Sequence, residues 1–84
     1  MTSIAERIVA VTSRVLNVDP SRIQPEHHFG ADLGAESVQS VELVAMFEEE
    51  FDIDVDEGEA LSISTVGSAT DYITKVCQKQ GVEV

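Results

Sequence analysis

Apolar residues recur at helical spacing in three separate stretches of the chain. Ile4, Ile8, Val11 and Val15 stand at i, i+4, i+7 and i+11, one face of a helix. That stretch opens on Ser3-Ile4-Ala5-Glu6, a capping box in which serine and glutamate each bind a free backbone N–H of the other. The pattern predicts a helix from Ser3 to Leu16, ended by Asn17 in a left-handed conformation, with Arg14 suited to the negative end of the dipole. In the second stretch Leu43, Val44, Phe47 and Phe51 form a core stripe. Val38, Val41 and Ala45 run beside it as a second apolar stripe, and Glu42, Glu48, Glu49 and Glu50 fill the polar side. A helix from Ser37 to Phe51 follows. In the third, Val66, Ala69, Ile73 and Val76 give the core face of a helix from Thr65 to Lys79. Ser64 or Thr65 is its cap, Lys75 and Lys79 suit its C-terminal end, and Gly81 is its stop.

The intervals between these stretches predict little regular structure. Val18 to Ala35 reads as a loop punctuated by Pro20, Pro25, Gly30 and Gly34. A loop so long in a small domain is either functional or pinned by its own anchors; Ile23, Phe29 and Leu33 are the expected anchors. Asp52 to Asp56 alternates like a strand, but a lone strand would leave both edges unpaired, so none is expected. A short helical turn is expected from Glu57 to Leu61, weakened by Gly58. The tail Val82-Glu83-Val84 is expected to fray. The fold class is therefore all-α: a small bundle of three main helices plus one short helix, with a long first loop, as one domain over residues 1–84.

Composition narrows the partners. With 84 residues, 43% of them hydrophobic, the chain can build one compact core but no deep cleft. The net charge of -11 repels nucleic acid and anionic membranes and attracts basic surfaces. Every charged residue from Asp32 to Glu59 is acidic, whereas Arg7, Arg14, Arg22, Lys75 and Lys79 lie outside that span. Because these acids flank the second apolar stripe, they read as a docking surface for a basic partner more than as a solvated face. Their mutual repulsion costs stability, so added salt is expected to raise the melting temperature. Cys77 is the only cysteine, which leaves no intramolecular disulfide and fits a reducing compartment. No secretory signal is read, since Glu6 and Arg7 interrupt the first apolar stretch, and no run is long enough to span a membrane. A cytoplasmic monomer is expected.

The candidate chemistry centres on Ser37, at the start of the acidic helix and just past the turn at Gly34. Taken alone, its simplest role is an N-cap. The alternative is a phosphate attachment point, where free N–H groups and the helix dipole would stabilise a phosphodiester. Other candidates are weaker. Asp52-x-Asp54-x-Asp56 resembles the opening of a calcium loop, but Glu57 and Ile63 occupy the positions that need glycine and glutamate. His27 and His28 are adjacent and lack a second ligand pair. Cys77 shares a face with Ile73 and reads as a partly buried, inert thiol; Tyr72 reads as a residue at the edge of the core. With no nucleophile triad, no Gly-rich phosphate loop and no metal set, the chain reads as a non-enzyme.

The run from Phe29 to Val38, followed by Val41-Glu42-Leu43-Val44 and Glu48-Glu49-Glu50-Phe51-Asp52, resembles the acyl carrier protein family. Thr65-Val66 and Asp71-Tyr72-Ile73 match that family's last helix at the right distance. The resemblance implies that Ser37 receives a 4′-phosphopantetheine arm from coenzyme A, attached by a separate phosphopantetheinyl transferase, and that the arm carries acyl groups as thioesters. It implies that an acyl chain can fold back among Leu43, Phe47, Phe51, Leu61, Ile63 and Ala69. By position, Glu36, Val38, Val41, Glu42, Ala45, Glu48 and Glu49 match the family's partner-facing residues, with Val55 and Glu59 in the third helix region. The implied partners are the transferase and acyl-transferring or acyl-modifying enzymes with basic docking surfaces, in fatty acid or specialised lipid synthesis. A polyketide or aminoacyl carrier, a non-carrier acidic interaction subunit and a divalent-cation-binding protein stay open as alternatives. Where the family usually has Asp-Ser-Leu, this chain has Glu36-Ser37-Val38; Gln39, Ala45 and Asp56 also depart from the common pattern. Those departures suggest a specialised carrier.

Overall fold

The computed structural model describes residues 3–83. Four α-helices follow one another: α1 (Ile4–Leu16), α2 (Ser37–Phe51), α3 (Glu57–Leu61) and α4 (Val66–Gln80), with a single 3-10 turn at Pro20–Arg22 between α1 and α2. The capping box predicted for α1 is formed. Glu6 N–H donates to Ser3 Oγ at 3.1 Å, and Ser3 N–H donates to Glu6 Oε1 at 3.2 Å. Helix α1 packs against both α2 and α4, while α3 packs on α2. Ile8 and Val11 from α1, Leu43, Phe47 and Phe51 from α2, and Val66, Ala69 and Ile73 from α4 meet in one core. The deepest residue at the far end of α4 is Cys77 rather than the expected Val76, because Ala69, Ile73 and Cys77 continue one row at intervals of four.

All three long helices stop in the same way. Asn17, Asp52 and Gly81 adopt left-handed conformations with φ of 56°, 54° and 69°. The next residue in each case is apolar and turns back on the helix it has left. Val18, Ile53 and Val82 N–H groups donate to the carbonyls of Ser13, Glu48 and Cys77 at 3.2, 3.1 and 2.9 Å, while their side chains pack into or against the core. Each stop thus satisfies end carbonyls and buries an apolar side chain at once. Val82 is consequently docked rather than frayed; Val84 lies outside the described residues. The apparent alternation of Asp52 to Asp56 has the same origin. Ile53 is buried by the helix stop, and Asp56 caps α3 by accepting from Glu59 N–H at 2.9 Å. Asp54 exchanges two hydrogen bonds with Gln80, at 3.1 and 2.6 Å, tying this connection to the end of α4.

The long loop is pinned to the start of α4 by backbone. Gly67 and Val66 N–H groups donate to the carbonyls of Pro25 and His27 at 2.8 and 3.0 Å, and Phe29 N–H donates to Ser64 O at 2.9 Å. A Cβ at Gly67 would stand 3.1 Å from the Pro25 carbonyl oxygen, so glycine allows this approach. Ile23 and Phe29 are buried as anchors and Leu33 is half-buried. The histidines serve the loop. His27 Nδ1 accepts from Gln24 N–H, and Asp32 accepts from His28 N–H at 2.7 Å. Among the described residues no three potential metal ligands come together.

Glu50 departs from expectation. Placed on the polar side of α2 by its sequence position, it turns to α1 instead. Arg7 Nε donates to its carboxylate at 2.9 Å, and an Arg7 terminal nitrogen donates to its backbone carbonyl at 2.6 Å. The guanidinium lies 4.3 Å from the centre of the Phe51 ring. One arginine thereby offsets an acid at the unfavourable end of a helix and covers an aromatic core residue.

Candidate functional site

Ser37 is the first residue of α2, not its cap. Glu36 holds the cap position in extended backbone, with φ −88° and ψ 168°, and its N–H donates to Gln39 Oε1 at 2.9 Å. The reach of Gln39 back to Glu36 fixes the cap one residue earlier than a serine-cap reading expects. Ser37 is exposed. Among the described residues, no hydrogen bond engages its hydroxyl, and the N–H groups of Ser37 and Val38 have no partner. Upstream, Gly34 turns the chain with φ 77°, and Ala35 N–H donates to Phe29 O at 2.8 Å. Asp32 braces the same loop; the backbone N–H and then the ring of His28 hold its carboxyl below the usual carboxylate range. The result is a primary hydroxyl in water, on a braced turn, beside open donors at the positive end of a 15-residue helix.

The residues expected to face partners divide into two sets. Val38 and Val41 are 78% and 46% exposed. Glu36, Glu42, Ala45 and Glu49 are exposed with them along α2, and Glu59 is exposed on α3. Glu48 and Val55 turn inward. The Glu48 carboxylate accepts from Val55 N–H at 3.2 Å, and the Val55 side chain is half-buried.

Below α3 lies an apolar cavity of about 20 Å³, room for roughly one water. Phe47, Ile63 and Ala69 line it as expected, together with Val44, Val55, Ala60, Tyr72 and Ile73, which sequence reasoning missed. Three expected lining residues are elsewhere. Phe51 sits under Arg7, Leu43 is buried in the core away from the cavity, and Leu61 is 42% exposed. Spacing alone could have found Val44, three residues before Phe47, and Ile73, four after Ala69. Val55 and Ala60 sit beyond the helix stop, where no period reaches. Tyr72 donates its hydroxyl to Glu59 at 3.2 Å; burial, then the Glu59 carboxylate, pushes its pKa up, so it stays a donor. Cys77 is 1% exposed, and burial pushes its thiol up against a smaller opposing pull from Arg7. It is a packed, unreactive thiol.

A family model described as the phosphopantetheine attachment site matches residues 6–73. The acyl carrier proteins of two Caulobacter vibrioides strains are each 43% identical to this chain over 75 residues, 89% of its length and 96% of theirs. The chain belongs to the acyl carrier protein family. That family carries covalently attached 4′-phosphopantetheine, and its members are carriers rather than catalysts. The open first turn of α2 fits such a group: it offers an unbonded hydroxyl for the ester and free N–H groups for the phosphate. Among the described residues, no helix of the carrier is long and apolar enough to cross a membrane.

Proposed function

We propose that Ser37 is the attachment point of the 4′-phosphopantetheine arm and that residues 1–84 act as a single, non-catalytic carrier domain. The observation that carries this reading is the hydroxyl of Ser37, exposed and without a hydrogen bond at the open start of α2. Nothing in the site activates that oxygen, so the base that takes its proton belongs to the transferase. Ser37 and Val38 N–H groups would then hold the phosphate. When bound, the arm supplies a thiol on which an acyl group travels as a thioester.

The exposed set on α2, Val38, Val41, Glu42, Ala45 and Glu49, together with Glu36 and Glu59, is the proposed address for basic enzyme surfaces. Charge of one sign around an apolar stripe steers encounter and sets orientation, while tethering raises the effective concentration of cargo at the docked enzyme. The cavity under α3 is the proposed shelter for an acyl chain. Burial there would gain about 0.8 kcal/mol per methylene, less the cost of opening the bundle. The cargo is proposed to be a fatty or specialised lipid acyl group, handled in the cytoplasm by a monomeric carrier.

Intact-mass spectrometry after incubation with coenzyme A and a phosphopantetheinyl transferase tests the attachment. One arm should add to the wild type and none to Ser37→Ala. Failure of the wild type with several competent transferases, or modification of the alanine variant, defeats the assignment.

A further inference from the structure

The cavity has a weakly held wall. Helix α3 is five residues long and contains no buried residue. Its own hydrogen bonds are local: Asp56 caps Glu59 N–H, Ala60 N–H donates to Asp56 O, and Ser62 donates to Glu59 O. Among the described residues, a single side-chain hydrogen bond joins α3 to another element, from Tyr72 of α4 to Glu59. Both ends of that bond matter to the cavity. The Tyr72 ring lines it, and Ala60, next to Glu59, lines it from α3. The void itself holds only about one water, so no chain enters unless α3 moves.

We propose that the Tyr72–Glu59 hydrogen bond is a latch that holds α3 over the cavity and so sets how often the cavity opens to cargo. The inference rests on the carrier reading for its purpose, though not for its existence. The bond is a neutral hydroxyl to a carboxylate in a solvent-exposed place, so its loss should change the opening equilibrium by a modest factor, about three- to tenfold. Opening is local, because α1 packs on α2 and α4 and keeps those contacts when α3 lifts.

Amide hydrogen exchange of the unmodified full chain measures the opening directly. In Tyr72→Phe, exchange at Ala60 and Ile63 should rise about three- to tenfold over wild type, while Ile8 and Val11 in α1 keep their protection. Glu59→Gln leaves the Tyr72 ring in place and should raise the same two amides by a smaller factor. If Tyr72→Phe loosens α1 as well, the Glu59→Gln result decides. Unchanged exchange at Ala60 and Ile63 in both variants overturns the latch. A hexanoyl thioester on the modified protein gives the functional reading: hydroxylamine should cleave it faster in both variants, and equal cleavage rates would remove the latch from cargo control. Should Ser37 prove unmodifiable, the carrier assignment falls while the exchange measurement still decides the latch.

Discussion

Helices α2 and α4 are equally long, each begins beside a hydroxyl residue, and the two beginnings are used in opposite ways. At α4 the cap is Thr65, whose Oγ accepts from Ser68 N–H at 3.2 Å. The two N–H groups before it, on Val66 and Gly67, donate to carbonyls of the long loop. That start is closed, and it serves to hold the loop. At α2 the hydroxyl residue has slipped inside the helix, Glu36 takes the cap, and the donors of Ser37 and Val38 face water. A helix start that is structurally complete has nothing to offer a ligand; one left incomplete does, provided the chain before it is braced elsewhere. The loop provides that bracing by attaching to α4 rather than to α2.

The comparison is most sharply broken by removing the two hydroxyls. Ser37→Ala should abolish arm attachment, read by intact mass, and leave stability within about 0.5 kcal/mol. Thr65→Ala should cost about 1 kcal/mol in urea unfolding and leave attachment intact. The reverse pattern would exchange the roles of the two helix starts.

Gly67→Val tests the closed end more severely. Its side chain meets Pro25 at the carbonyl that caps α4, so a loss of about 1–3 kcal/mol is expected. Since the loop leads to α2, the attachment rate should also fall, although by less than in Ser37→Ala. Circular dichroism melts and a timed mass assay give the two numbers. Gln39→Ala is a gentler test of the open end. It removes the acceptor for Glu36 N–H and should cost about 0.5–1 kcal/mol, with the cap free to wander and attachment slowed.

The smallest effect concerns pH. The Asp32 carboxyl is held below its ordinary value in the folded state by His28. The folded state therefore binds fewer protons at this group than the unfolded state near the usual carboxylate range. Its contribution is fully present above that range and is lost as pH falls through the lower, folded value. Asp32→Asn should lower the melting temperature at pH 7, where the carboxylate's contribution is fully present, and flatten its fall between about pH 5 and pH 3. A parallel pH profile for variant and wild type would remove Asp32 as a brace of the loop.

Much of this architecture is legible in the residues themselves. The three long helices follow from apolar spacing and from caps such as Ser3-Ile4-Ala5-Glu6, because helix formation is a local negotiation among neighbours. The proposed attachment residue stood out for a different reason: Ser37 stands in a run of residues whose order resembles a family. Its local role was misread, since Ser37 as a cap and Glu36 as a cap differ by a single reach of Gln39. The proposed partner face was half legible. Val38, Val41 and Ala45 are exposed, yet Glu48 and Val55 are drawn inward by a hydrogen bond to each other and by the cavity; Glu50, expected only on the polar side of α2, is drawn to Arg7.

By itself, then, the sequence determined the helices, their stops, the acidity of the middle of the chain and the hydroxyl to which cargo is proposed to attach. Tertiary structure alone decided which acids face solvent, which apolar residues line a cavity and which helix start stays open. The physical reason is range. Capping and apolar periodicity act over three or four residues and are written in the chain in order. The bonds that close α4, turn Glu50 to Arg7 and latch α3 to Tyr72 join residues far apart in sequence, and only the folded packing brings them within reach.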